Sequence, residues 1–163
     1  MVYWKSVFIL GILLALSEPS PPFRMGVKEV IDPAKPTFCF GVDEKCAGEG
    51  ELLTLIFVME INDRGEGTQF KWIISHIEGN TSESAMLNQL TYGVVPEAYK
   101  EKLPAKPLKL NTYYRTNGDN YFKIYEKSGK YEIEIINESL DKKAFEQTFP
   151  DLYLMRMKAN KER

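Results

Sequence analysis

NYFKIYEKSGKYEIEIIN, residues 120–137, is the stretch whose reading decides the fold. In its second half Tyr131, Ile133 and Ile135 fall on one side of an extended chain, with Glu132 and Glu134 on the other. Successive side chains of a strand point to opposite faces, so this alternation describes a strand with one buried and one wet face. Ser128 and Gly129 interrupt it with turn residues, which predicts a hairpin joining 120–127 to 130–137. Asn117-Gly118-Asp119 supplies another turn just before it, so LKLNTYYRT (108–116) reads as the preceding strand.

The same period recurs toward the N-terminus. TFCFGV (37–42) is aromatic and rich in strand formers. LLTLIFVMEI (52–61) puts Leu53, Leu55, Phe57, Met59 and Ile61 on one side and Leu52, Ile56 and Val58 on the other, which predicts a central strand covered on both faces. QFKWIISHI (69–77) aligns Phe70, Trp72, Ile74 and His76, with DRGEGT (63–68) as the hairpin loop before it. NQLTYGVV (88–95) alternates Leu90, Tyr92 and Val94. About seven short strands with turns at these intervals predict an all-β fold, an immunoglobulin-like antiparallel two-sheet sandwich. LDKKAFEQTF (140–149) reads as one short helix and DLYLMRM (151–157) as a last edge strand.

PEAYKEKLPAKP (96–107) carries three prolines and three lysines between two strand patterns. Proline offers no ladder donor, so one reading is a connector crossing between sheets. The other is a presented binding loop, with Tyr99 and Leu103 as apolar contacts among lysines such as Lys100.

The first 17 residues, MVYWKSVFILGILLALS, are a different material. Lys5 precedes an apolar run, Val7 to Leu16, and small residues at Ala15 and Ser17 suit cleavage before Glu18. This is the layout of a secretory signal, too short to cross a bilayer comfortably; if uncleaved it would be the only membrane contact expected. Residues 18–34, opening EPSPPF, read as a proline-rich spacer, and 35–163 as a single domain. The expected location is therefore periplasmic or secreted. Cys39 and Cys46 fit an oxidising compartment, where they close a small loop as a disulfide; two free thiols is the other reading.

Bulk properties bound the chemistry. With 163 residues, 44% hydrophobic and 27% charged, the chain can bury a real core. A net charge of -2 gives no electrostatic reason to expect nucleic acid, and the basic run Arg156, Lys158, Lys161 and Arg163 reads as a solvated tail. His76 is the single histidine and no nucleophile sits in a Gly-flanked turn, so no hydrolase triad is expected. Two cysteines and one distant histidine do not make a tetrahedral metal set, no C-x-x-C points to redox catalysis, and no cofactor is expected. Asp43, Glu44, Asp63 and Glu66 sit in loops where solvation explains them. Asn80-Thr81-Ser82 and Asn137-Glu138-Ser139 match the glycosylation tripeptide. Tyr113 and Tyr114, being adjacent, face opposite sides of a strand, so one of them, with Tyr121 nearby, is a candidate outward contact.

Taken in order, the apolar leader, the spacer, FCFGV, YGVVPE, PAKPL, NTYYRT and YFKIYEKSGKYEI make the chain similar to a loose group of small exported bacterial proteins, the periplasmic immunity proteins of type VI secretion systems. The resemblance covers residues 35 to 137 and carries no catalytic residues. Members are usually lipoproteins, and here no cysteine stands beside Ser17 to carry the lipid. The resemblance implies a non-enzymatic protein that neutralises a toxin by direct binding, through the 96–107 segment (Tyr99, Lys100, Leu103), Tyr113, the turn at Asn117 and Asp119, and the 43–45 loop. The alternative is a structural or accessory component of a cell-envelope or secretion assembly, joined to its neighbours through an exposed strand edge.

Overall fold

A computed structural model describes residues 24–28, 30–41, 46 and 50–161. The expected signal segment 1–17 and the 43–45 loop lie outside the described residues. The elements are β1 (Arg24–Val27), β2 (Thr37–Gly41), β3 (Glu51–Leu52), β4 (Leu55–Ile61), β5 (Gly67–His76), β6 (Met86–Leu87), β7 (Gln89–Thr91) and β8 (Tyr99–Leu103), then β9 (Tyr113–Thr116), β10 (Asn120–Lys127), β11 (Lys130–Asn137), α1 (Lys142–Thr148) and α2 (Pro150–Lys161). A six-stranded sheet, ordered β11-β10-β9-β4-β5-β8, faces a three-stranded sheet, β1-β2-β7, with β3-β6 as a separate pair. The pairings are antiparallel throughout, so the all-β sandwich expected from the sequence is present.

The quoted hairpin forms as read. Strand β10 pairs β11 from Asn120↔Asn137 to Lys127↔Lys130. Ser128 (φ 53°) and Gly129 (φ 74°) both take the positive φ that a two-residue hairpin turn of matching twist demands.

Between the sheets Phe38, Phe40, Leu90 and Tyr92 meet Ile56, Val58, Trp72, Ile74, Tyr114, Phe122 and Ile124. Ring centroids lie 5.0 Å apart for Phe38–Phe122 and 5.2 Å for Trp72–Tyr92, the spacing of favourable aromatic pairs. Each fully buried side chain of this size contributes about 1.5–3 kcal/mol. A disulfide joins Cys39 in β2 to Cys46, Cα–Cα 4.7 Å, and restricts the unfolded chain by about 2–3 kcal/mol.

A second core lies on the opposite, outer face of the large sheet. There Phe145 of α1 and Phe149, which joins α1 to α2, pack onto Ile61, Tyr121 and Ile136, with Tyr113 and, from α2, Leu152 and Tyr153 at the margin. Leu152 rests on the β4–β5 turn at Gly65, where a Cβ would come within 2.6 Å of its side chain; at φ +77° glycine is also the residue this backbone favours.

Several expectations are corrected. Part of the expected 18–34 spacer is strand: Arg24–Val27 pairs with β2, and Met25 supplies a buried core side chain in the middle of the proline-rich stretch. The 96–107 segment is not all connector, since Tyr99–Leu103 forms β8 on the edge of the large sheet, between Pro96 and Pro104. Residues 151–157 are helical rather than a strand, and two C-terminal helices stand where one was expected. The strands expected over 88–95 and 108–116 shorten to β7 and β9, ended by turns at Tyr92-Gly93 and Leu110-Asn111. Finally, a register shift leaves Lys71 unpaired between Trp72 and Phe70, so Phe70 faces away from Trp72 rather than sharing its side.

The proline-containing stretch after β8 is pinned across one end of the inner core. Lys106 N donates to Lys71 O at 2.8 Å, and the Tyr92 hydroxyl lies 2.7 Å from Lys106 O and 3.1 Å from Lys71 O. Lys109 N donates to the Tyr114 hydroxyl at 2.7 Å. Burial pushes both phenols above their ordinary value, so they stay neutral and can serve as fixed hydrogen-bonding posts.

Candidate functional site

Strand alternation sorts the expected contact residues between core and surface. Tyr99 is 4% exposed, donates its hydroxyl to Ala85 O at 2.9 Å and packs edge-on against His76; it is core, out of a partner's reach. His76 itself has Nε2 2.8 Å from Asn80 O. Tyr114 and Tyr121 are fully buried, and burial pushes the Tyr121 phenol up to about 12. Tyr113 does point to the outer face, but Phe149 covers it at 5.0 Å, and its hydroxyl bonds Glu134 at 2.8 Å beside Lys123 Nζ at 3.0 Å.

Asn117 is structural. Its Nδ2 donates to Leu55 O at 2.6 Å and its Oδ1 accepts from Phe57 N at 3.2 Å, which splices the turn before β10 onto β4. Asp119 is ion-paired with Arg115. Asn137 is 4% exposed and bonded to Asn120 at 3.0 Å, so the folded chain withholds that glycosylation tripeptide, whereas Asn80 lies in a surface turn. Lys100 and Leu103 remain on the surface: Lys100 is exposed, and Leu103 is half-buried opposite Ile73.

These two lead to what the sequence reading missed. On the outer face of the large sheet Leu55 pairs with Ser75, Phe57 with Ile73 and Met59 with Phe70, and Ile73 in turn with Leu103. Together they form an apolar surface over β4, β5 and β8. Leu55 is 46% exposed and Phe70 44%; Phe57, Met59, Ile73 and Leu103 are half-buried. Phe57 and Phe70 meet edge-to-face at 6.0 Å, and Met59 lies across Gly67, where any Cβ would strike its sulfur at 2.5 Å. The helices cover the half of this face over β9, β10 and β11 and stop at Ile61. No other described residue covers the half over β4, β5 and β8. The signal was the apolar run Leu55–Met59 of β4, read as covered on both faces when the outer side of the strand is covered only at Ile61.

Other sites are poorer. A cleft of about 300 Å³ beside β1 is lined by Met25, Val27, Ile133, Ile135, Asn137 and Asp141, and its polar groups are already engaged: Asp141 Oδ2 accepts from Asn137 N at 2.9 Å. Among the described residues no cluster of three or more His, Cys, Asp or Glu could hold a metal ion. Glu60, Lys71 and Lys109 form a charge cluster at the end of the inner core, with Nζ–carboxylate distances of 2.6 Å and 3.3 Å; it ties the connector to the sheet.

No family model matches this chain, and no curated protein and no solved structure matches it.

Proposed function

We propose that this chain is an exported binding protein that works by direct contact with another protein, a toxin that it neutralises. The observation that carries this reading is the open apolar half of the sheet face, with Phe57 and Ile73 paired at its middle and Leu55 and Phe70, each nearly half exposed, at its two ends. Contiguous apolar surface of this kind on a monomer marks an interaction site, because leaving it in water costs about 25 cal/mol per Å². Inhibition by occlusion needs a complementary surface and no chemistry of its own. The resemblance of residues 35 to 137 to periplasmic immunity proteins supports the toxin as the partner, and the Cys39–Cys46 disulfide is compatible with an oxidising compartment.

The alternative, an envelope component joined through a strand edge, has less support. The free edge β8 is five residues long, carries exposed Lys100 and Lys102, and is followed by Pro104 and Pro107, features that blunt an edge against pairing. The test is capture of the tagged protein from the envelope fraction of its native host, with partners identified by mass spectrometry. One near-stoichiometric partner with a toxic enzymatic or pore-forming domain is expected. Recovery of several secretion-apparatus or envelope components instead overturns the reading in favour of the structural role.

A further inference from the structure

We propose that the open half of the outer face receives an α-helix of the partner protein, with acidic residues flanking its apolar stripe. This rests on the binding role proposed above and specifies the partner's form. The first ground is continuity. The neighbouring half of the same face is already covered by helices, with Phe145, Phe149 and Leu152 lying on the outward side chains of β4, β9, β10 and β11. The open half continues that surface across β4, β5 and β8 with the same kind of side chains.

The second ground is size. Three strands at about 4.8 Å spacing span roughly 10 Å between the outer two, close to the diameter of one helix. Along the strands, Leu55 to Met59 runs about 14 Å, enough for roughly two and a half helical turns.

The third ground is charge. The flank of the face at β8 carries Lys100, opposite Ser75, and Lys102 stands at the bulge just beyond it, both exposed and without an ion-pair partner among the described residues, while Glu101 points to the other face and accepts from Trp72 Nε1 at 3.1 Å. An incoming helix therefore meets ammonium groups along one side, and acidic residues there are favoured. The same argument excludes a second copy of this chain docking through its own helix. Helix α2 does expose Leu154, Met155 and Met157, but beside Lys158 and Lys161, which would confront Lys100 and Lys102.

The test places photoreactive benzoyl-phenylalanine at Phe70, at Leu103 or, as a control, at Lys130 at the far end of the β10–β11 hairpin. Each tagged protein is irradiated in the envelope fraction of the native host and the cross-linked peptides are sequenced. Expected are cross-links from Phe70 and Leu103, and none from Lys130, to one partner segment with apolar residues at helical spacing flanked by Asp or Glu. The double variant Lys100→Glu/Lys102→Glu should lose at least tenfold in capture of that partner with an unchanged unfolding midpoint. Cross-links to a second copy, to residues 1–23 of the same chain, or to an extended or basic segment overturn the proposal. If the unmodified protein retains a partner but only the Lys130 position reaches it, this inference fails while the binding role stands; if nothing is retained, both fail.

Discussion

At the scale of single residues, the charge cluster at the end of the inner core is the most consequential feature outside the apolar packing. Lys71 is 5% exposed, an unusual place for an ammonium, and its Nζ sits 2.6 Å from Glu60 and 2.8 Å from Gln69 Oε1. The bulge that turns Lys71 inward also turns Phe70 outward, so the interior cation and the exposed ring have one backbone cause. The hydrogen bond from Lys71, opposed by desolvation and helped by Lys109, holds the Glu60 carboxyl below its ordinary value of 4.5. A carboxylate depressed in the fold contributes stability that is fully present above the unfolded value and is lost as pH falls through the folded one. Urea unfolding from pH 7 to pH 3 should therefore show stability declining below about pH 4.5. Glu60→Gln should cost about 3 kcal/mol at pH 7, because it leaves the Lys71 charge buried without its partner, and should flatten the acid limb of the profile. An unchanged limb in the variant would assign the acid sensitivity to other carboxylates.

At the scale of elements, the C-terminal helices divide into a part that holds the fold and a part that does not. In α1 Phe145 is 1% exposed within the second core, whereas α2 has no buried residue and Leu154 is 56% exposed. Phe145→Ala should lower the unfolding free energy by about 3–5 kcal/mol, and Leu154→Ala should change it by no more than about 0.5 kcal/mol. Thermal or urea melts of the two variants check both values, and equal costs would mean that α2 is held more firmly than its exposure indicates. The same helix shows where the sequence was hard to read. In PDLYLMRMKANK the apolar residues lie on the buried and exposed sides alike, so no helical stripe stands out, and only the helix-favouring Leu, Met, Arg, Lys and Ala residues spoke against a strand. By contrast the β10–β11 hairpin was legible, because Tyr131, Ile133 and Ile135 alternate with two glutamates and Ser128-Gly129 supplies the turn. Strand β8 was hidden by the prolines on either side of it, and β1 by the proline-rich stretch around it; both strands lie at sheet margins, where a few paired residues suffice. The open face was half legible. Period two placed Leu55, Phe57 and Met59 together, but nothing in the spacing tells how far two later helices reach across a sheet, and a one-residue bulge cannot be seen in an alternation that it inverts.

At the scale of the whole molecule, a sandwich with an apolar half-face and a free edge risks associating with itself, and the charges along β8 bear on whether it does. A two-fold antiparallel pairing of β8 with its copy must keep equivalent faces together, so residues pair only in registers centred on one residue. Centred on Glu101, the pairing sets Glu101 against Glu101 and Lys100 against Lys102; centred on Lys100 or on Lys102, it sets that lysine against itself. Like charges directly opposite destabilise each of these registers. The chain should therefore sediment as a monomer at micromolar concentration and physiological salt. Lys100→Val with Lys102→Val removes the repulsion and adds strand-forming side chains, and this pair of changes should produce dimers or aggregates while the near-ultraviolet signature of buried Trp72 persists. A double variant that stays monomeric would show that the bulge at the end of β8 and the prolines, rather than the lysines, guard this edge. A wild-type dimer would instead place a second copy on a surface that the charge pattern reserves for a different molecule.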